Sequence, residues 1–187
     1  MTALNTRLLE SRSRGLRAVL ILALGVSMMT LAAKVQIPFW PVPMTLHLAA
    51  VMGFAVLLGP QRAVAIFLAY LAAGAAGLPV FSGTPERGIG LAYMVGPTGG
   101  YLAGFLIASA LTGWLAAGRG MIGRIGAMLA GLAVIYACGA AWLALFVPAE
   151  KVMAIGVLPF LPGDLVKIAL VACGAALLSR GKQKDRG

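Results

Sequence analysis

A chain of 187 residues that is 61% hydrophobic and only 11% charged, with a mean hydropathy of +0.97, is not an ordinary soluble domain, in which charged residues make up about 25%. It reads as an all-α integral membrane protein, long enough for about six helices at roughly 20 apolar residues per crossing. The formal charge of +10 does not point to nucleic acid, because the basic residues stand at the chain ends and in tight turns between apolar runs, which is the positive-inside pattern.

The predicted spans are 16–34, 45–58, 61–77, 97–117, 122–147 and 163–179, the second short and the fifth long. Together they make one six-helix membrane domain over residues 1–187, with no internal repeat that would suggest an inverted-repeat transporter. Arg7, Arg12, Arg14 and Arg17 precede the first apolar run. An arginine-rich start and a short apolar stretch also describe a signal peptide, but the polytopic chain that follows makes a retained first span the better reading. Ala23 and Ser27 form a small-xxx-small pair on that span, either a partner-docking face or an internal packing face.

Next comes Pro41-Val42-Pro43-Met44-Thr45-Leu46-His47, whose two prolines fix an extended approach to the second span and remove two backbone donors. Thr45 and His47 then offer hydrogen bonds near its boundary, to a ligand or to a neighbouring helix. His47 is the sole histidine, so no histidine-based metal cluster or Ser-His-Asp triad can be assembled. The segment from Leu78 to Gly96, carrying Arg87 and Tyr93, is punctuated by glycine and proline and reads as a structured lid. Arg87 can balance Glu86 or meet an anionic ligand. Gly96-Pro97-Thr98-Gly99-Gly100-Tyr101 is a turn opening the fourth span, not a phosphate loop, since it lacks the lysine of that motif. Cys138 and Cys173 fall inside predicted spans and act as small apolar residues.

The last span opens with Pro159-Phe160-Leu161-Pro162-Gly163-Asp164-Leu165-Val166-Lys167. Pro162 suits the first helical position, and Asp164 in the first turn is favoured by the helix dipole. Lys167 lies one turn on and on the same face, so the two heads can share one pocket. The alternative is a capping aspartate that merely neutralises the lysine.

Six crossings put both termini on one side of the membrane. Eleven of the fifteen Lys and Arg residues fall there, eight in the tails with Arg62, Arg119 and Arg124 in the turns, which predicts cytoplasmic termini. The outer segments are longer and hold eight of the ten prolines. Irregular backbone at that depth is tolerated where protein or water satisfies it, so an outer cap of loops over a cavity is predicted. Trp40 in the cap, and Trp114 and Trp142 near span ends, suit interfacial anchoring.

Four of these segments resemble the blocks of one family in the same order: Pro41-Val42-Pro43-Met44-Thr45, Gly77-Leu78-Pro79-Val80-Phe81, Gly96 to Tyr101, and Pro159 to Lys167. The chain is similar over residues 16 to 180 to BioY, the biotin-specific S component of energy-coupling-factor (ECF) transporters. The resemblance implies a six-helix bundle in a bacterial cytoplasmic membrane that captures biotin at its outer side. It also implies coupling to an ECF T component and two ATPase subunits, so that the chain needs no cofactor and ATP is used by its partners. The family's aspartate and lysine fall on Asp164 and Lys167, which would accept from a ureido N–H and donate to the ureido carbonyl. Thr45, His47, Arg87 and Tyr93 complete the expected substrate-binding set. The family pattern has glutamine where this chain has His47, and the outer loop from Ser82 to Arg87 departs from it as well.

Rival readings are an S component for another vitamin, a stand-alone facilitator or proton-coupled carrier, and a non-transporting membrane assembly protein. An enzyme is not supported, since no pairing of nucleophile and base is visible. Besides the coupling subunits and biotin, membrane lipid is the expected partner, attracted diffusely by the basic tails.

Overall fold

The computed structural model describes residues 2–37 and 41–184. Helix α1 (Thr2–Lys34) carries the start of the chain into the first apolar run without a break, and its stretch from Gly15 to Lys34 is long and apolar enough to cross a bilayer. A two-residue antiparallel ladder follows, with Gln36 of β1 (Gln36–Ile37) opposite Thr45 of β2 (Met44–Thr45). The chain then returns through α2 (His47–Leu58). Gly59, at a φ of +83°, takes the left-handed conformation open to glycine. Helix α3 (Pro60–Ala75) starts immediately after it, with proline at its head, where the missing N–H costs nothing.

Beyond the loop from Ala76 to Gly90 come a single-turn α4 (Leu91–Met94), α5 (Gly99–Ala116), α6 (Met121–Leu143), a short α7 (Ala149–Gly156) and α8 (Leu161–Lys184). Four helices among the described residues are long and apolar enough to cross a membrane: Gly15–Lys34, Gly99–Ala116, Met121–Leu143 and Leu161–Leu178. Helices α2 and α3 are shorter. The 12 residues of α2 extend about 18 Å, against a hydrocarbon core of about 30 Å.

The predicted boundaries need correction at several ends. The second span begins at His47, because Met44 and Thr45 belong to the β ladder. The fifth stops at Leu143, and the chain turns through Phe146 into α7, so Val147 is not helical. Helix α8 begins at Leu161, which puts Pro162 at its second position. Neither the ladder nor α7 has a strong sequence signature, since both form by folding against the bundle end.

Packing follows the small residues. A Cβ on Gly104 of α5 would lie 2.8 Å from the Ile135 Cα of α6, and one on Gly100 would lie 2.5 Å from the Cys138 carbonyl oxygen. Gly131 and Gly139 of α6 receive Thr112 and Tyr101 in the same way. Lipid offers no hydrophobic drive between helices, so this close approach is what holds α5 against α6. Helix α1 touches α3 where Gly25 meets Ile66, and Met29 and Ala33 are fully buried. The first helix is therefore part of the packed fold. Its opposite face exposes Leu20, Leu24, Met28 and Leu31, an apolar surface of a kind that marks contact with membrane or protein.

Two apolar clusters meet at α2. Leu48 and Met52 belong to the one formed with α5, α6 and α8, and Val51 to the one formed with α1, α3 and the loop after α3. The loop end is tied by polar contacts. Lys34 Nζ donates to the Thr84 carbonyl at 3.0 Å and to Thr84 Oγ1 at 2.9 Å, Ser82 bonds Gln36, and Arg87 Nη1 donates to the Pro41 carbonyl at 2.9 Å. Trp142 is half-buried, and its indole N–H donates to the Gly96 carbonyl at 2.9 Å. It pins the turn before α5 in addition to standing near a helix end. Trp114 is 70% exposed, as an interfacial anchor is. Trp40 lies outside the described residues.

Candidate functional site

Because α2 is short, a space is left above its N-terminus between the longer helices, and the loop end closes over it. The resulting cavity encloses about 590 Å³, counting its open mouth. Asp164 and Lys167 of α8 line it with Thr45, His47 and Tyr93, so five of the predicted ligand residues converge on one space. Arg87 is not among the lining residues. Its guanidinium is committed to the Pro41 carbonyl at the rim.

The charged pair is held closely. Lys167 Nζ lies 2.8 Å from Asp164 Oδ1 and donates also to the Thr45 carbonyl at 2.7 Å. The Tyr136 hydroxyl of α6 donates to Asp164 Oδ2 at 2.7 Å. Both side chains of the pair are 11% exposed. Separating charges from water at such a depth costs several kcal/mol per ion before the attraction is counted. The compensation comes from three elements at once: α8, the β2 strand and α6.

These contacts leave capacity unused. An ammonium has three donors, and two are engaged. A carboxylate has about four acceptor sites, and one bond reaches each oxygen. One donor and two or more acceptors thus remain side by side, an arrangement complementary to a neutral group presenting C=O beside N–H.

Thr45 works through both its groups, since its Oγ1 accepts from the His47 N–H at 3.2 Å while its carbonyl receives Lys167. It joins the start of α2 to α8. His47 is 5% exposed, and its Nε2 has no protein partner. The ring packs edge-on to Tyr70 at 5.2 Å and tilted against Phe105 at 5.6 Å. Of the two roles open to His47 in the sequence, an interhelical hydrogen bond through Nε2 is not present.

The remaining wall is aromatic and aliphatic. Tyr93 stacks on Phe81 with ring centroids 4.7 Å apart and 14° between planes, and Phe81 meets Tyr70 edge-on at 5.4 Å. Burial raises the Tyr93 phenol above its ordinary pKa, while a hydrogen bond with Thr98 and the charge of Arg87 oppose that rise. Tyr101 lines the cavity and donates to the Gly156 carbonyl at 2.7 Å, fixing α7 to α5.

Sequence reasoning missed Tyr136. Its signal was a phenol inside an otherwise apolar run, since a buried tyrosine hydroxyl usually finds a partner. Ala23 and Ser27 stand away from the cavity on the exposed face of α1, with Ser27 Oγ donating to the Ala23 carbonyl at 2.9 Å. The internal packing role open to that pair falls instead to Gly25, which lies against Ile66.

Fold and site together define a helical membrane protein with a mostly apolar cavity that carries the Asp164–Lys167 ion pair in its wall. The sequence profile described as the BioY family matches residues 4–184, and the chain belongs to that family. It is 40% identical to the "Probable biotin transporter BioY" of Pyrococcus horikoshii, over 82% of this chain and 90% of that protein. It is 36% identical to the "Biotin transporter BioY" of Rhizobium etli, over 87% of each. Among solved structures, the crystal structure of "the S-component for biotin from an ECF-type ABC transporter" superposes with a TM-score of 0.77 at 26% identity, covering 90% of this chain and 93% of that one. Family and apolar helices together establish a multi-pass membrane protein.

Proposed function

We propose that the chain binds biotin in this cavity and serves as the substrate-binding S component of an ECF-type transporter for biotin uptake. The observation that carries the reading is the Asp164–Lys167 pair, 2.8 Å apart, lining the cavity with hydrogen-bonding capacity to spare. Membership of a family whose relatives are named biotin transporters supports the choice of ligand. A ureido ring offers two N–H donors and one carbonyl, which Asp164 and Lys167 satisfy side by side; charged hydrogen bonds give about 1.5 to 3 kcal/mol each. The aromatic and aliphatic walls suit the thiophane ring and the valerate chain. His47, Thr45 and Tyr93 are further ligand contacts. Arg87 acts at the rim, steering the carboxylate and holding the loop to Pro41.

Six helices cross the cytoplasmic membrane in this reading, α2 and α3 as short crossings, with both termini cytoplasmic and the cavity facing outward. The distribution of Lys and Arg supports that orientation. The chain makes up one membrane domain, carries no ATPase of its own and needs no cofactor. A T component and ATPase subunits supply the energy, and the exposed Ala23 and Ser27 ridge on α1 is a docking face for them.

Calorimetric titration of the purified chain with biotin, with desthiobiotin and lipoate as competitors, tests the reading. Saturable one-site binding is expected, competed by desthiobiotin and not by lipoate, and lost in the double variant Asp164→Asn, Lys167→Ala. Absence of biotin binding by the wild type, or unchanged binding by the double variant, would sink it.

A further inference from the structure

A second opening lies far from the cavity, between α1 and α3. It encloses about 770 Å³, counting open space, and is lined by Arg17, Ala18, Ile21 and Leu22 of α1 with Arg62 and Ala65 of α3. The two helices run in the same direction: Lys34 at the end of α1 reaches Thr84, in the loop that follows α3. Arg17 and Arg62 therefore sit at the same end of the bundle, away from the cavity. Both guanidiniums are exposed and have neither a hydrogen bond nor an ion pair among the described residues.

The groove has a polar end and an apolar end. Arg17 and Ile21 share a face at a spacing of four, as do Ala18 and Leu22, and Arg62 and Ala65 share one at a spacing of three. Moving from the arginines toward the cavity end, the lining becomes alanine, isoleucine and leucine. The groove closes where Gly25 packs on Ile66. From Arg17 to Gly25 is eight residues, about 12 Å at 1.5 Å per residue. Two unpaired cations at a membrane-facing helix end, above a short apolar channel open to lipid, are complementary to a phosphodiester joined to an acyl chain. Basic pockets between helices near the cytoplasmic surface bind anionic head groups on this principle.

We propose that the α1–α3 groove is a binding site for one anionic phospholipid, its phosphate between Arg17 and Arg62 and the upper part of an acyl chain along Ala18, Ile21, Leu22 and Ala65. The proposal is independent of the biotin reading. It differs from diffuse attraction by the basic tails because it names a bounded site with one occupant.

Native mass spectrometry of the full chain in detergent, titrated with phosphatidylglycerol, phosphatidylcholine or glycerol phosphate, tests it. One tightly retained phosphatidylglycerol per chain is expected, with phosphatidylcholine and glycerol phosphate at least tenfold weaker. Each of Arg17→Gln and Arg62→Gln should weaken phosphatidylglycerol about fivefold, and the pair about thirtyfold, taking each basic residue at its usual worth near a membrane surface. Thermal melting of the variants, and their biotin binding where the wild type shows it, should stay at the wild-type level, which separates loss of the site from loss of the fold. Equal retention of phosphatidylcholine, equal binding of glycerol phosphate, or undiminished phosphatidylglycerol binding by the double variant would overturn the proposal. So would a double variant that keeps the lipid but no longer co-purifies with ECF coupling subunits, which would assign the arginines to a protein contact.

Discussion

Asp164 is held through both oxygens, and the two holders have different consequences. Removing Lys167 leaves a buried carboxylate without its counter-charge, a change that typically costs 3–5 kcal/mol. Removing only the Tyr136 hydroxyl leaves the ion pair intact but frees one side of the carboxylate. Tyr136→Phe should therefore weaken biotin about tenfold by calorimetry and lower the melting temperature less than loss of Lys167 does, since one hydrogen bond to a charged group is worth about 1.5–3 kcal/mol. His47 poses the opposite case, a buried ring nitrogen with no protein partner. A buried polar atom left unsatisfied costs about 1–3 kcal/mol, which a ligand bond would recover. His47→Gln, which keeps a donor and an acceptor, should hold biotin affinity within about threefold. His47→Leu should lower it about tenfold or more, and equal affinities for the two variants in competition binding would remove His47 from the ligand shell.

At the scale of elements, the α5–α6 pair is the frame on which the site depends. Tyr101 comes from α5 and Tyr136 from α6, and the glycines between the helices set how far apart these phenols stand. Gly104→Leu should force the helices apart at Ile135. Overpacking of this kind costs roughly 1–3 kcal/mol, expected as a lowered melting temperature in detergent together with weaker biotin binding. An exposed alternative on α6, Leu129→Ala, should change neither measurement appreciably. The loop after α3 is a separate device, held by Lys34, Gln36 and Pro41 from the α1–α2 connection. Its order therefore depends on three partners that lie 46 to 50 residues away in sequence.

For the whole molecule, orientation is the property that function depends on most, because the cavity must face the side from which biotin arrives. In a background of Cys138→Ala and Cys173→Ala, a membrane-impermeant maleimide added to intact cells should label Glu86→Cys and leave Arg119→Cys unlabelled until the membrane is opened. Both positions are exposed. The reverse pattern would turn the bundle over and place the basic turns outside.

That the chain folds into apolar helices, four of them long enough to cross a bilayer among the described residues, was legible because hydropathy acts on local runs of sequence. The pairing of Asp164 with Lys167 was legible for the same reason, since residues three apart on a helix are neighbours whatever the rest of the chain does. The convergence of Thr45 with that pair follows from a two-residue ladder too short to have a pattern. Tyr136, 28 residues from Asp164, entered the site only through the close approach of α5 and α6 and the contact of α6 with α8. Arg87 could be picked out by its charge, but its hydrogen bond to a carbonyl 46 residues away could not. The sequence by itself determined a helical membrane protein, its family and its charged pair. Tertiary structure alone decided which aromatic and polar side chains surround that pair, because in lipid the helices are positioned by shape at a few glycines, and shape between distant segments leaves no local trace.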